Sequence, residues 1–300
     1  MSQARAGIVP MQRRGTAAGE RARAWWLLVS PMAVLWAGFL VLPIAQAIYY
    51  SLTNWNGFTA RWIGFENYRQ IFADPTFATV IGNNGILLLA VPFAVLVPFV
   101  FALLIDAHPP GWQLFRTLIF LPATLSWVVI GIVAVHVFAP GGALFAALGE
   151  IGVRFNLLGN IHTAIIPIFL TFIWSQVGPN TLIFLIGLAA LDRSCIEAAH
   201  IDGAGPVGVF LHVTLPLLRR FVLFALTTTL IAAFTALFSL IFVMTGGGPG
   251  FATTTLEFFI YRRAFNQGAF GAAAALGIIL FLLVAGVTFV LMRVIRYDRD

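Results

Sequence analysis

Six long apolar runs set the terms for this chain. They lie at about residues 25–50, 85–105, 117–139, 161–190, 221–244 and 271–294. Apart from Arg293, at the end of the sixth, none contains Asp, Glu, Lys or Arg. A helix rises about 1.5 Å per residue, so about 20 apolar residues cross the roughly 30 Å hydrocarbon core of a bilayer. Runs of this length and number predict an all-α integral membrane protein with six transmembrane helices. Charge agrees: only 9% of the 300 residues are charged, against about 25% in soluble domains. No intervening segment is long enough to fold as a separate soluble domain, and no internal repeat is evident.

The segments between the runs give the orientation. Residues 1–24 form a polar tail with five arginines, and residues 297–300 a short polar end. The run after the tail is too long for the core of a cleaved signal peptide, so it is read as the first span. Trp25 and Trp26 at one end and Tyr49 and Tyr50 at the other suit interfacial aromatic belts. Pro92 and Pro98 predict kinks in the second span. Residues 51–84, 140–160 and 245–270 are read as loops on one side, and 106–116 and 191–220 as loops on the other. All 17 basic residues are arginine. Twelve fall on the side of the tail and five (Arg61, Arg69, Arg154, Arg262, Arg263) on the opposite side. That bias places both termini in the cytoplasm, and with them the 191–220 loop. The arginines are dispersed among apolar spans, which is a topology signal and not a nucleic-acid-binding surface.

The 191–220 loop holds the most specific stretch, Glu197 to Pro216. Leu191 to Ile201 predicts a short helix. Gly203, Gly205 and Pro206 stop it, since glycine admits positive φ and proline lacks an N–H. Pro206 then suits the first position of a second short helix, on which Val207, Phe210, Leu211 and Leu215 share a face. Pro216 suits the start of the next span. An amphipathic helix–turn–helix of this kind either lies at the lipid interface or docks on a partner. Glu197-Ala198-Ala199, Asp202-Gly203-Ala204-Gly205 and Leu215-Pro216 resemble the cytoplasmic loop of importer permeases of the ATP-binding cassette superfamily. The resemblance implies a type I importer fold over residues 25–296. It also implies a coupling helix docked on a separate ATPase, with Glu197, Ala198, Ala199, Asp202, Gly203, Ala204, Gly205, Phe210, Leu215 and Pro216 as the coupling residues.

The chain carries no machinery of its own for energy conversion. Without lysine it cannot form a P-loop. Buried ionisable relays, usual in proton-coupled transporters, are missing from the apolar cores; His136 is a lone histidine there. The five histidines show no metal-ligand spacing, and the single cysteine, Cys195, excludes an internal disulfide. No nucleophile–base set suggests a membrane enzyme. A secondary transporter or channel is the competing class.

Further motifs resemble one branch of the superfamily, the carbohydrate importers of the maltose and glycerol-3-phosphate type. Ser51-Leu52 with Trp55 and Gly64-Phe65-Glu66-Asn67-Tyr68 resemble the first outer loop of the first-type permease. Phe115-Arg116 with Phe120-Leu121-Pro122 resembles the entry to the third span. Thr245-Gly246-Gly247-Gly248-Pro249 with Thr253, Thr255 and Tyr261 resembles the last outer loop; alone it reads as a flexible turn. Asn83-Asn84 departs from the family's Asn-Thr. The resemblance implies a second homologous permease, two ATP-binding subunits that hold ATP and Mg, and an extracytoplasmic solute-binding protein, in a bacterial plasma membrane. A neutral sugar needs aromatic faces with amides or hydroxyls. Trp174, Gln176 and Asn180 on the fourth span and Thr227, Phe234, Thr235 and Phe238 on the fifth offer these. Such residues also serve as interhelical hydrogen-bond partners. With no buried arginine, the expected solute is a sugar or oligosaccharide; glycerol-3-phosphate or a glycerophosphodiester is the alternative.

Overall fold

The computed structural model describes residues 29–150 and 156–297. Among these the secondary structure is helical, and six segments are long and apolar enough to cross a membrane. The chain divides after Tyr49 into two units, each described by itself. In the first lies most of α1 (Val29–Ser51), exposed along most of its length, Val34 and Phe39 included. Residues 25–28 of the expected first span fall outside the described residues.

The second unit, from Tyr50, opens with an ordered loop rather than a bare one. Tyr50 stacks on Trp55, Thr53 pairs with Trp62 in an isolated bridge, and Asn67 Nδ2 donates to the carbonyls of Ser51 and Thr53, both at 2.8 Å. Helix α2 (Glu66–Ala73) follows directly. Asp74 then accepts from the Thr76 N–H at 2.9 Å and Pro75 takes the first helical turn, so α3 (Pro75–Leu88) begins here. The expected 51–84 loop is therefore helical over much of its length. The second span starts at Pro75 and not at Gly85, because Asp-Pro-Thr is a helix start. After Leu89, α4 (Ala90–Asp106) completes a span of 32 residues.

The third span also departs from its expected limits of 117–139. Helix α5 (Trp112–Phe120) runs into a 3₁₀ turn, Leu121–Thr124. Pro122 cannot donate within that turn, and Ser126 caps a fresh helix, α6 (Trp127–Phe138), by accepting from Val129 N–H. Helix α7 (Ala143–Glu150) occupies part of the expected 140–160 loop. The fourth span is a single helix, α8 (Ile165–Ala189).

The loop to the fifth span contains α9 (Arg193–Ile201). From Pro206 the chain is helical without interruption to Thr235, here α10. The separate second short helix and a span beginning at 221 are thus both replaced by one long helix. Pro216 lies within it, not at its start. Having no N–H, Pro216 leaves the His212 carbonyl without its usual donor, and the helix widens into a π turn over Phe210–Thr214 next to it. Ala236 breaks the helix, and α11 (Leu237–Met244) completes the fifth segment. Helix α12 (Leu256–Tyr261) lies in the loop between the fifth and sixth spans, and α13 (Phe270–Tyr297) is the sixth span.

Two polar features fix the packing. The first is a proline vacancy. Pro98, inside α4, cannot donate to the Ala94 carbonyl. Asn180 of α8 fills the gap: its Nδ2 donates to Ala94 O at 2.7 Å and to Thr229 Oγ1 of α10 at 2.8 Å. Thr181 Oγ1 donates to Pro98 O at 3.3 Å. One buried amide thus joins the second, fourth and fifth spans. Around it pack Leu87, Ile130, Phe172, Phe234 and Leu240 towards one end and Phe99, Phe184 and Leu218 towards the other.

The second feature is the loop between the fifth and sixth spans, expected to be the last outer loop, which is not a flexible turn. The Thr245 and Thr253 hydroxyls lie 2.7 Å apart, Thr253 also donates to Gly248 O at 2.9 Å, and Thr254 donates to Gly247 O at 2.8 Å. Asn83 Nδ2 donates to the carbonyls of Phe251 and Thr254, both at 2.9 Å, and Asn84 Oδ1 accepts from Leu256 N–H at 2.8 Å. The Asn83-Asn84 pair is therefore a clamp that holds the loop to the second span. Gly247 sits at φ +82°, and a Cβ there would fall 2.6 Å from the Phe258 ring.

Two outcomes are expected. Asn180→Ala leaves the Ala94 carbonyl unsatisfied in an apolar interior, and should lower stability by about 1–2 kcal/mol. Thr229→Val should cost less, because Asn180 keeps the carbonyl. Thermal unfolding of the purified protein in detergent reads both, and equal melting points for Asn180→Ala and wild type would remove the joint from this account. Gly247→Ala combines positive φ with a steric clash and should destabilise by about 1–3 kcal/mol. Gly246→Ala, with open space around its Cβ, should cost less in the same assay.

Candidate coupling loop and solute pathway

The candidate coupling loop is built by its caps. Asp192 starts α9 by accepting from Ser194 N–H at 3.0 Å, and that hydrogen bonding holds its carboxyl below the ordinary range. At the other end Gly203 takes φ +82°. Its N–H donates to His200 O at 3.1 Å, and the Ala204 N–H reaches back to Ala199 O at 3.0 Å. This paired pattern is a Schellman turn, which needs a left-handed residue in the position Gly203 holds. Gly205 is extended, and Pro206 opens α10. The turn therefore sets the angle at which α9 meets the fifth span.

The loop's side chains divide into two sets. Glu197, Ala198, Asp202, Gly203 and Gly205 are exposed, and Ala199 and Ala204 half-buried. Glu197 lines a groove of about 290 Å³ with Asp106, Leu188, Leu191 and Ile196, where α9 faces the ends of the second and fourth spans. The expected common face of Val207, Phe210, Leu211 and Leu215 is split. Val207 (70% exposed) and Leu211 point outward, while Phe210 turns in, its ring 5.8 Å from that of Phe99. Leu215 packs in the same cluster, beside Phe184 and Leu218. The large Phe210 ring lies at the edge of the helical stripe, so the interior claims it. Ile201, 86% exposed at the end of α9, joins the outward set and escaped the sequence reading. Its signal was an apolar residue standing directly before Asp-Gly. Pro216 is exposed on the continuous helix.

The solute residues separate more sharply. Trp174 is 37% exposed and lines an apolar cavity of about 310 Å³ between α6 and α8, with Val133, Val137, Leu170 and Thr171. Gln176 is 7% exposed, and its amide makes no hydrogen bond among the described residues. Asn180 is committed to Ala94 and Thr229. Phe234 belongs to the buried core. Thr227 and Thr235 donate to carbonyls of their own helix, Leu223 at 2.8 Å and Ile231 at 2.9 Å. Phe238 packs with Phe242, Phe258 and Tyr261. Gln176 is thus the one amide of the expected set left without a protein partner among the described residues.

Comparison with known proteins agrees with this geometry. Residues 76–297 match the family model for the binding-protein-dependent transport system inner membrane component. The chain is 34% identical over 281 residues to the sn-glycerol-3-phosphate transport system permease protein UgpA of Pectobacterium atrosepticum, covering 91% of this chain and 95% of that one. It is also 34% identical to the protein of the same name from Salmonella choleraesuis, covering 90% and 93%. The fold matches a crystal structure of a bacterial ABC transporter involved in the import of the acidic polysaccharide alginate. That match has a TM-score of 0.82 at 21% identity, over 96% of this chain and all of that one. The type I importer fold and the six apolar helices are therefore common ground, and the chain belongs to the inner membrane permease components of binding-protein-dependent transport systems.

Proposed function

We propose that this permease is one half of the membrane pore of an ATP-driven importer for a neutral sugar or oligosaccharide. It pairs with a second homologous permease. Two ATP-binding subunits dock on the α9–Gly203–α10 loop and hold ATP and Mg, since this chain has no lysine for a P-loop. An extracytoplasmic binding protein delivers the solute to the side opposite the termini. The carrying observation is the exposed Schellman turn, which presents Glu197, Ile201 and Val207 on an arm that continues without a break into a membrane span. The arginine bias supports a cytoplasmic position for that arm and for both termini.

The solute reading rests on Trp174, which lines the cavity between α6 and α8, and on Gln176, on a different face of the same helix, whose amide has no protein partner among the described residues; α8 itself contains no arginine or lysine. Glycerol-3-phosphate or a glycerophosphodiester is the second reading, favoured by the names of the relatives at 34% identity. In either case the chain supplies geometry and not bond chemistry.

Coupling is tested at the turn. Gly203→Val places a β-branched residue at positive φ and should cost about 1–3 kcal/mol locally, although space around the Cβ is open. It should weaken ATPase retention on the purified permease pair and abolish stimulation of hydrolysis by the loaded binding protein. Gly203→Asn, which tolerates that conformation, should do so mildly, and Glu197→Ala by an intermediate amount. Wild-type retention and stimulation in Gly203→Val would return the loop to a lipid-interface role.

The solute assignment is tested by uptake into liposomes holding the whole complex. A neutral sugar should be taken up, and Gln176→Leu should raise the half-saturating concentration of loaded binding protein or slow transport by about tenfold, as loss of one hydrogen bond of roughly 1.4 kcal/mol predicts. Uptake confined to phosphorylated solutes would favour the second reading.

A further inference from the structure

The last outer loop contains a carboxyl group that importer function as described leaves unused. Glu257, the second residue of α12, turns its side chain inward. Both carboxylate oxygens are sealed from solvent and have no hydrogen-bond partner, and the neighbouring Thr255 hydroxyl is likewise enclosed and unpartnered. An ionised carboxylate in such a place loses its hydration without replacement.

No ionic partner is at hand. Helices α3 and α11, which pack on α12, contain no ionisable side chain, and α13 has none before Arg293 at its far end. The two arginines of the next turn are directed elsewhere: Arg263 pairs with Asp74 through a terminal nitrogen and lies over the Phe259 ring, its buried Nε unpartnered, and Arg262 lies over the Phe251 ring. Tyr261, one turn on, stacks among Phe238, Phe258 and Phe265. What remains near the carboxyl, close enough to act on it but outside hydrogen-bonding geometry, is the Thr255 hydroxyl, the Asn84 side chain and the N–H of Glu257 itself. Burial pushes the Glu257 pKa from its ordinary 4.5 up to about 7, against the weaker opposing pull of those three groups.

The position gives this titration a consequence. Leu256 N–H, the residue before, is held by Asn84 Oδ1, and Asn83 holds the Phe251 and Thr254 carbonyls. These bonds close the last outer loop onto the second span. We propose that Glu257 is a proton-operated latch: protonated, it lets the loop close on Asn83 and Asn84, and on releasing its proton to the external water it draws water in and loosens that contact. The closed form binds the proton more tightly than the open form, so closure is most stable in acid and weakens as pH rises from 4.5 through 7. External pH would then bias how readily the outer face of the permease opens.

The test uses the full-length chain, in the assembled complex where function is read. Infrared difference spectroscopy should show a protonated carboxyl that titrates near pH 7 and is missing in Glu257→Gln. Hydrogen exchange of amides 253–258, corrected for its intrinsic pH dependence, should report about fortyfold more opening at pH 7 than at pH 5, levelling off above about pH 8. In Glu257→Gln the same amides should show no such dependence. A wild-type glutamate already ionised at pH 5, or opening that follows pH equally in wild type and Glu257→Gln, overturns the proposal. The spectroscopic titration and the exchange are independent of transport, so they stand or fall apart from the importer reading. If the variant fails to fold, the wild-type titration decides alone.

Discussion

A single orphaned carbonyl governs how the interior spans meet. Pro98 removes the donor that Ala94 O would find within its own helix, and hydrocarbon offers no water to replace it. Asn180 supplies the donor from α8 and shares its amide with Thr229 of α10. The bond works only if α8 and α10 sit at one height and rotation relative to α4. In a membrane, apolar burial does little to choose between one helix face and another, because lipid is as apolar as leucine. Directional polar contacts must choose, and this joint, with Asn180 and Thr229 both buried, is one that links three spans. The aromatic pairs around it, such as Phe99 with Phe184 at 4.9 Å, then pack in the register it sets.

The second constraint is the Asn83–Asn84 clamp, which does for the outer end what Asn180 does for the middle. It binds a loop some 170 residues away to the second span through backbone groups only. The three threonines at 253, 254 and 255 are fully buried, so the loop has a polar interior of its own. Glu257 is the group in that interior whose demand for hydrogen bonds changes with protonation. A loop held by so many neutral bonds gives one ionisable neighbour leverage over the whole contact.

The elements legible in the sequence are those set by local chemistry. Six spans follow from six charge-poor apolar runs. The turn at Gly203 follows from Asp-Gly-Ala-Gly-Pro, whose conformational demands lie within five residues. The start of the second span was written locally too, in Asp74-Pro75-Thr76, but the apolar count outweighed the cap. Partners distant in sequence were not legible. The bond from Asn180 to the Pro98 vacancy, on another helix, could not be read from its own span. Nor could the burial of Phe234 or the half-buried aromatic cluster around Phe238. Asn83-Asn84 looks like a departure from a motif until its acceptors appear across the loop. Glu257 carried a faint signal, a charge flanked by Leu256, Phe258 and Phe259 in a run where every neighbour wants burial.

The long fifth helix gives these joints a mechanical connection. From Pro206 to Thr235 it spans 30 residues, about 45 Å at the usual rise. Near one end Phe210 and Leu215 tuck against Phe99 and Phe184, so the start of this helix is packed onto the second and fourth spans before it reaches the Asn180 joint. Between the exposed Ile201 and Val207 and the membrane part of this helix, the irregular point is the π turn over Phe210–Thr214 beside Pro216, and Phe210 within it is packed against Phe99. The flexible point is the Schellman turn on the far side of Pro206, and the next break is Ala236, beyond the joint. Between those two points the fifth helix is tied to α4 and α8 by the Asn180 joint and by the Phe99–Phe184–Leu218 cluster. In the proposed importer, closure of the ATPase subunits would act on that tied group. The outer loop, held to the same second span by Asn83 and Asn84, is where its displacement must be accommodated.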